Sequence, residues 1–152
     1  MGATPILFVK LRDLGGIEHL AAAARLEGFR MVDRLIREWD DGTNRFNSPG
    51  EALFGAYAGK RLVGVAGLTR QNETIGRVRR LYIDPDFRRS GLGTALLVQV
   101  LGFAERSYSE LVLFTDNPIS AQFYERHGFL PEDEHSADRA SHRLTFVERS
   151  EP

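Results

Sequence analysis

Apolar residues recur along this chain with two periods, and the places where one gives way to the other outline its elements. Residues 6–11 are a short apolar run that predicts a strand, and residues 16–26 an alanine-rich helix ended by Gly28. Phe29, Val32, Leu35, Ile36 and Trp39 fall on one helical face, so a second amphipathic helix is expected to about Asp40. Residues 43–50, polar with Asn, Ser, Pro and Gly, read as a loop. Runs at 53–58 and 62–69 flank Gly59-Lys60, a two-residue turn with glycine first, which predicts a β-hairpin. A further turn at 71–74 leads into a strand at 75–83. There Val78 is followed by Leu81 and Ile83, so the alternation slips by one around Arg79-Arg80, as a β-bulge would make it. The alternative is a plain amphipathic strand with two solvated arginines. An apolar-periodic helix at 94–106 and a buried strand at 111–114 come next. A helix then starts at Asp116-Asn117, with Pro118 in its first turn, and stops at Gly128. A loop at 131–140 and a strand at 142–147 end the pattern.

Composition narrows the class. At 152 residues, 42% hydrophobic and 27% charged, the chain fits one globular domain over residues 1–152 and is not disordered. A net charge of −1 predicts no nucleic-acid and no membrane partner. The absence of cysteine excludes disulfides, a thiolate nucleophile and Cys-based metal sites. His19, His127, His135 and His142 show no metal-ligand spacing, so no metal is expected; His127 reads as a cation near a helix C-terminus. The apolar stretch at 6–9 is too short for a signal peptide, which makes the cytoplasm the expected location.

The most informative segment is Arg88-Arg89-Ser90-Gly91-Leu92-Gly93-Thr94, between a strand and a helix. The first N–H groups of a helix lack intrahelical partners and are partially positive. Glycines there let a phosphate approach the backbone, and Arg88 and Arg89 would add mobile positive charge, so the turn suits a pyrophosphate. A P-loop would need Gly-Lys-Ser/Thr, which is absent, and a dinucleotide fingerprint would need a small residue where Leu96 stands. Arg88-x-x-Gly91-x-Gly93 instead resembles the coenzyme A pyrophosphate loop of the GCN5-related N-acetyltransferase (GNAT) superfamily. Asn117-x-x-Ser120-x-x-Phe123-Tyr124, followed by Gly128-Phe129, resembles that family's second cofactor motif, with Ser120 for the usual alanine. The resemblance covers residues 52–130 well.

It implies an α/β fold: a mixed sheet, helices on both faces, splayed between its fourth and fifth strands so that the pantetheine arm of acetyl-CoA enters the gap. The implied cofactor contacts are Leu81, Tyr82 and Ile83 along the arm, Arg88 to Thr94 (Arg89, Ser90, Gly91, Leu92 and Gly93 included) at the pyrophosphate, and Asn117, Phe123 and Tyr124. The implied catalytic groups are the Leu81 N–H, polarising the acetyl carbonyl, and Tyr124, protonating the departing thiolate; Tyr124 could instead simply pack on the core. Where some members carry a basic glutamate this chain has Arg77, which cannot take a proton. Glu73, Glu51 and His142 are the remaining candidates for the base. Arg77, Arg79 and Arg80 either favour an acceptor bearing carboxylate or phosphate, or pair with neighbouring carboxylates. Two functions follow: acetyl transfer from acetyl-CoA to a primary amine of a small molecule or peptide, or a catalytically silent acyl-CoA-binding module. Dimers are frequent in the family, so a homodimer is an expectation.

Overall fold

The structure, a computed structural model, describes residues 5–133 and 139–147, so much of the loop expected at 131–140, with His135, lies outside the described residues. Strand β1 (Ile6–Lys10) precedes helices α1 (Glu18–Leu26) and α2 (Met31–Asp41). A meander of β2 (Ala52–Ala58), β3 (Arg61–Arg70) and β4 (Ile75–Ile83) leads through a 3-10 turn (Pro85–Phe87) to α3 (Leu92–Ala104). Then come β5 (Glu110–Leu113), α4 (Pro118–Arg126), β6 (Leu130–Pro131) and β7 (His142–Thr145). The strands form one mixed sheet ordered β1-β2-β3-β4-β5-β7-β6. Among the described residues only β4 and β5 pair in parallel.

Helices cover both faces. Leu92, Leu96, Leu97 and Val100 of α3 and Tyr124 of α4 pack with Val63, Ala66, Leu68 and Ile83. On the other face Leu20, Ala21 and Ala24 of α1 and Val32 and Leu35 of α2 pack with Leu53, Leu62, Val65 and Tyr82. Three details differ from the sequence pattern. β6 is a two-residue strand of exposed Leu130 and Pro131, paired with His142 and Arg143, and it carries no apolar alternation. α3 begins at Leu92, two residues early, because Gly91 caps it in a left-handed conformation (φ 81°). The last strand ends at Thr145 rather than at 147.

The slip in β4 is a bulge. Val78 and Tyr82 are four residues apart and would share a face in a regular strand, yet they pack into opposite cores. Val65 pairs with Tyr82 but Gly67 with Arg79, so Ala66 faces two residues, and Arg80 at the kink has φ 61°. The parallel ladder to β5 covers only Ile75↔Glu110, Gly76↔Leu111 and Arg77↔Val112. Beyond Arg77, β4 and β5 part, as the resemblance implied.

Gly67 lets the loop after α2 close on the sheet. A Cβ there would lie 2.5 Å from the Phe46 ring and 3.2 Å from the Arg79 carbonyl. Phe46 is itself buried, so the ring cannot swing away. Gly67→Ala is expected to lower unfolding free energy by about 1–3 kcal/mol, read from denaturant melts.

Candidate active site

The end of β4 and the start of α3 are held by short-range capping. Asp84, almost fully buried, accepts from the Asp86 N–H at 2.9 Å and pairs with Arg61 at 2.7 Å. Ser90 Oγ donates to the Phe87 carbonyl, and Arg89 takes a left-handed backbone (φ 63°). Such a conformation costs a non-glycine residue about 1–3 kcal/mol and persists only where its surroundings impose it. The first regular α3 bond runs from the Ala95 N–H to the Gly91 carbonyl (3.0 Å). The N–H groups of Leu92, Gly93 and Thr94 therefore precede the ladder and take no partner among the described residues. A Cβ on Gly91 would meet nothing within 4 Å, so what the glycine supplies there is the left-handed cap rather than room. The N–H row fits an anionic phosphate group.

The two arginines of the loop differ. Arg89 is exposed and makes no ion pair among the described residues. Arg88 is not the mobile charge expected from sequence. It donates twice to Glu27 (2.6 Å each) and to the Ile83 carbonyl (3.1 Å), and lies 5.4 Å from the Tyr82 ring centroid. Its hydrogen bond holds the Glu27 carboxyl below the usual range, and burial, helped by the bond to Glu27, pushes the Tyr82 phenol up. This clamp ties the end of α1 to the phosphate turn.

Four residues after the end of β5, Asn117 caps α4 and accepts from the N–H groups of Ile119 (2.9 Å) and Ser120 (3.3 Å). Tyr124, 7% exposed, stands edge-on to Phe123 and Phe129 with centroids 5.3 and 5.5 Å away. Burial pushes its phenol above the ordinary tyrosine range. Leu81 is half-buried against the same core, as is Phe123. His127 is a connection that periodicity could not reveal. One ring nitrogen meets the Phe123 carbonyl (2.8 Å) and the other Thr94 Oγ1 (3.0 Å), which joins the end of α4 to the first turn of α3. A histidine four residues after an aromatic at a helix end was the only sequence signal.

The face toward α2 holds the polar groups. Arg77, 9% exposed, donates to Gln71 Oε1 (2.9 Å); Arg79 donates through Nε to Thr69 Oγ1 (3.0 Å); Arg80 pairs with Glu38 (3.0 Å). A cavity of about 440 Å³ opens here, lined by Glu38, Asn44, Glu51, Thr69, Arg70 and Arg79 among others. Of the three base candidates, Glu51 lines it. His142 is buried elsewhere, bonded to Glu125 (2.9 Å) and Ser141 (2.8 Å), and the Glu73 side chain does not reach it. No helix among the described residues is long and apolar enough to cross a membrane.

Known proteins share this architecture. A crystal structure from Exiguobacterium sp. 255-15, described as a candidate acetyltransferase, superposes with a TM-score of 0.80 at 28% identity, covering 93% of each chain. The PaiA N-acetyltransferase of Thermoplasma acidophilum, solved with coenzyme A, gives a TM-score of 0.67 at 18% identity over 93% of this chain and 99% of that one, a likeness of fold. Among curated relatives, the N-alpha-acetyltransferase RimI of Mycobacterium tuberculosis is 34% identical over 85 residues, 54% of each chain. The mycothiol acetyltransferase of Saccharomonospora viridis is 40% identical over 118 residues, 70% of this chain and 38% of that protein. The chain thus spans about half or less of the curated relatives it matches. The family model described as the acetyltransferase (GNAT) family matches residues 17–129, most of the chain and both ends of the gap, so the chain belongs to the GNAT acetyltransferase family.

Proposed function

We propose that this chain transfers the acetyl group of acetyl-CoA, the donor used by its family, to a primary amine. The observation that carries this reading is one juxtaposition: the gap between β4 and β5 lies directly before the unpartnered N–H groups that begin α3. In this reading Gly91, Leu92, Gly93 and Thr94 hold the pyrophosphate through their backbones, with Arg89 and Ser90 at the mouth. Arg88 shapes the turn through Glu27. Leu81, Tyr82 and Ile83 line one side of the gap, and Asn117, Phe123 and Tyr124 the other. Bound there, acetyl-CoA supplies the thioester that is the acetyl source. The Leu81 N–H polarises the carbonyl, an effect of about 3 kcal/mol for comparable single donors. Tyr124 donates a hydrogen bond from its hydroxyl to the departing sulfur, and the thiolate takes its proton from water. In this reading Glu51, which lines the cleft beside Arg79, receives the amine proton through water.

A silent acyl-CoA-binding module is the second reading. It is favoured by Arg77, a buried cation bonded to Gln71 where a base would be useful. The test is thiol release from acetyl-CoA over a panel of amines, with the acetylated amine identified by mass spectrometry. Acetylated product above the enzyme-free rate is expected. Tight coenzyme A binding without product on any amine would leave the silent module.

A further inference from the structure

Three arginines crowd the β4 bulge, and they are not equally satisfied. Arg80 spends a terminal nitrogen on Glu38 at 3.0 Å, and Arg77 donates to Gln71 at 2.9 Å. Arg79 makes one hydrogen bond, from Nε to the neutral hydroxyl of Thr69 at 3.0 Å. Its two terminal nitrogens have no partner and it has no ion pair among the described residues. It is half-buried, and the charges around it are mostly alike: Arg77 and Arg80 on its own strand and Arg34 on α2, against Glu38, which Arg80 already holds. Burial and these cations push its pKa below the usual arginine value, against the weaker pull of Glu38. A guanidinium with its fork free in a cavity is a ready acceptor of a carboxylate or phosphate, which it can bind through two parallel hydrogen bonds.

The cavity around it suits a small polar ligand. It is an open cleft of about 440 Å³, and every residue lining it is polar or charged. It holds both signs of charge. Glu51 accepts the Arg70 backbone N–H through Oε2 (2.9 Å), which leaves its other oxygen for an ammonium group. Arg70 is itself committed to backbone carbonyls, including that of Pro49 at 3.2 Å, and leaves Arg79 as the available cation. Arg79 stands two residues before Leu81 on the same strand, about 7 Å of backbone, so the cavity borders the mouth of the gap.

We infer that the acceptor is a small primary amine that also carries an anionic group, carboxylate or phosphate, gripped by Arg79 at the β4 bulge. Polyamines and lysine-rich tails bring further positive charge to a site that already holds three arginines, so they are disfavoured. The inference rests on the acetyl-transfer reading, and the experiment separates the two. Thiol release is measured for wild type, Arg79→Gln and Arg79→Lys with an amino acid, its uncharged amide, an amino sugar phosphate, its unphosphorylated sugar and spermidine. The wild type is expected to prefer each anionic amine over its neutral partner by about 10- to 100-fold in kcat/KM, mostly through KM. Arg79→Gln brings each pair together, and Arg79→Lys restores part of the preference. The larger preference in the two pairs tells carboxylate from phosphate. Equal kcat/KM for acid and amide, and for phosphate and sugar, in the wild type overturns the inference, as does an equal loss on charged and neutral amines in Arg79→Gln. Should no amine turn over, calorimetric titration of the same compounds decides it alone: anion-dependent binding lost in Arg79→Gln upholds the site without the transferase reading, and no such binding ends it. Thermal melts control for folding, because Arg79→Gln keeps a donor for Thr69 and removes an unpaired charge, so its midpoint is not expected to fall.

Discussion

Gly93→Val is expected to abolish measurable coenzyme A binding while the protein stays folded. The N–H of residue 93 is one of three at the start of α3 without a partner, and a glycine there leaves the backbone bare for the close approach a phosphate makes to that row. A single methyl there would lie 3.5 Å from the Phe123 ring and 3.8 Å from Ile83, ordinary contacts that the fold tolerates. Valine adds two further methyls on a stiff β-branched carbon; with Phe123 and Ile83 on one side, they are driven toward the open approach to the N–H row. The helix itself does not suffer, since valine is a better helix former than glycine by a few tenths of a kcal/mol. Calorimetric titration of acetyl-CoA should therefore give binding in the wild type and at least about a 100-fold loss in the variant. In thermal melts, ligand at about 100 times its dissociation constant should stabilise the wild type by ~2.7 kcal/mol and the variant hardly at all. Absence of binding by the wild type would remove the phosphate loop from the site and the acetyl-transfer proposal with it.

What the sequence made legible is what local chemistry writes into neighbouring residues. The slip in β4 was visible as a break in period-two alternation, and it was the pairing of Ala66 against two residues that decided for a bulge over a plain amphipathic strand with two solvated arginines. The cap of α4 was readable because Asn117 followed by Pro118 satisfies or removes the N–H groups that a helix start exposes. The missing features join distant residues. Glu27 lies 61 residues from Arg88, and nothing near either marks the pair that turns an expected mobile cation into a clamp. Thr94 and His127 are 33 apart and meet only because α3 and α4 pack on the same face. The cavity is assembled from α2, the loop after it, β3 and β4; Glu51 and Arg79 were singled out in the sequence, but that Glu38 and Arg70 join them there carried no signal. The three arginines of β4 illustrate both sides. Their crowding was visible in the sequence, but which had a counter-charge depended on where α2 placed Glu38.

Tyr124→Phe should leave cofactor binding and folding nearly unchanged and lower turnover by about 10²-fold, toward the weak end of acid–base effects. Phenylalanine keeps the ring between Phe123 and Phe129, and the lost hydroxyl makes no hydrogen bond to the described residues, so the core loses little. The modest factor follows from acidity. Burial raises the phenol above its ordinary value of about 10, whereas a thiol such as cysteine has a pKa near 8.5. Full proton transfer from Tyr124 to a thiolate is therefore uphill, and its contribution is chiefly a hydrogen bond to the charge developing on sulfur. Because the phenol stays neutral, kcat/KM should show no falling limb from this group below about pH 10. Stability moves the other way. Above about pH 10 the unfolded chain releases this proton while the folded chain keeps it, so stability is lost as pH rises toward the higher folded value. The variant should lose less stability there than the wild type, though not none, since the phenols of Tyr82 and Tyr108 are also raised, first by burial. Unchanged turnover in Tyr124→Phe would reduce Tyr124 to a packing residue, and the charge developing on the leaving sulfur would have to be met by water entering the gap between β4 and β5.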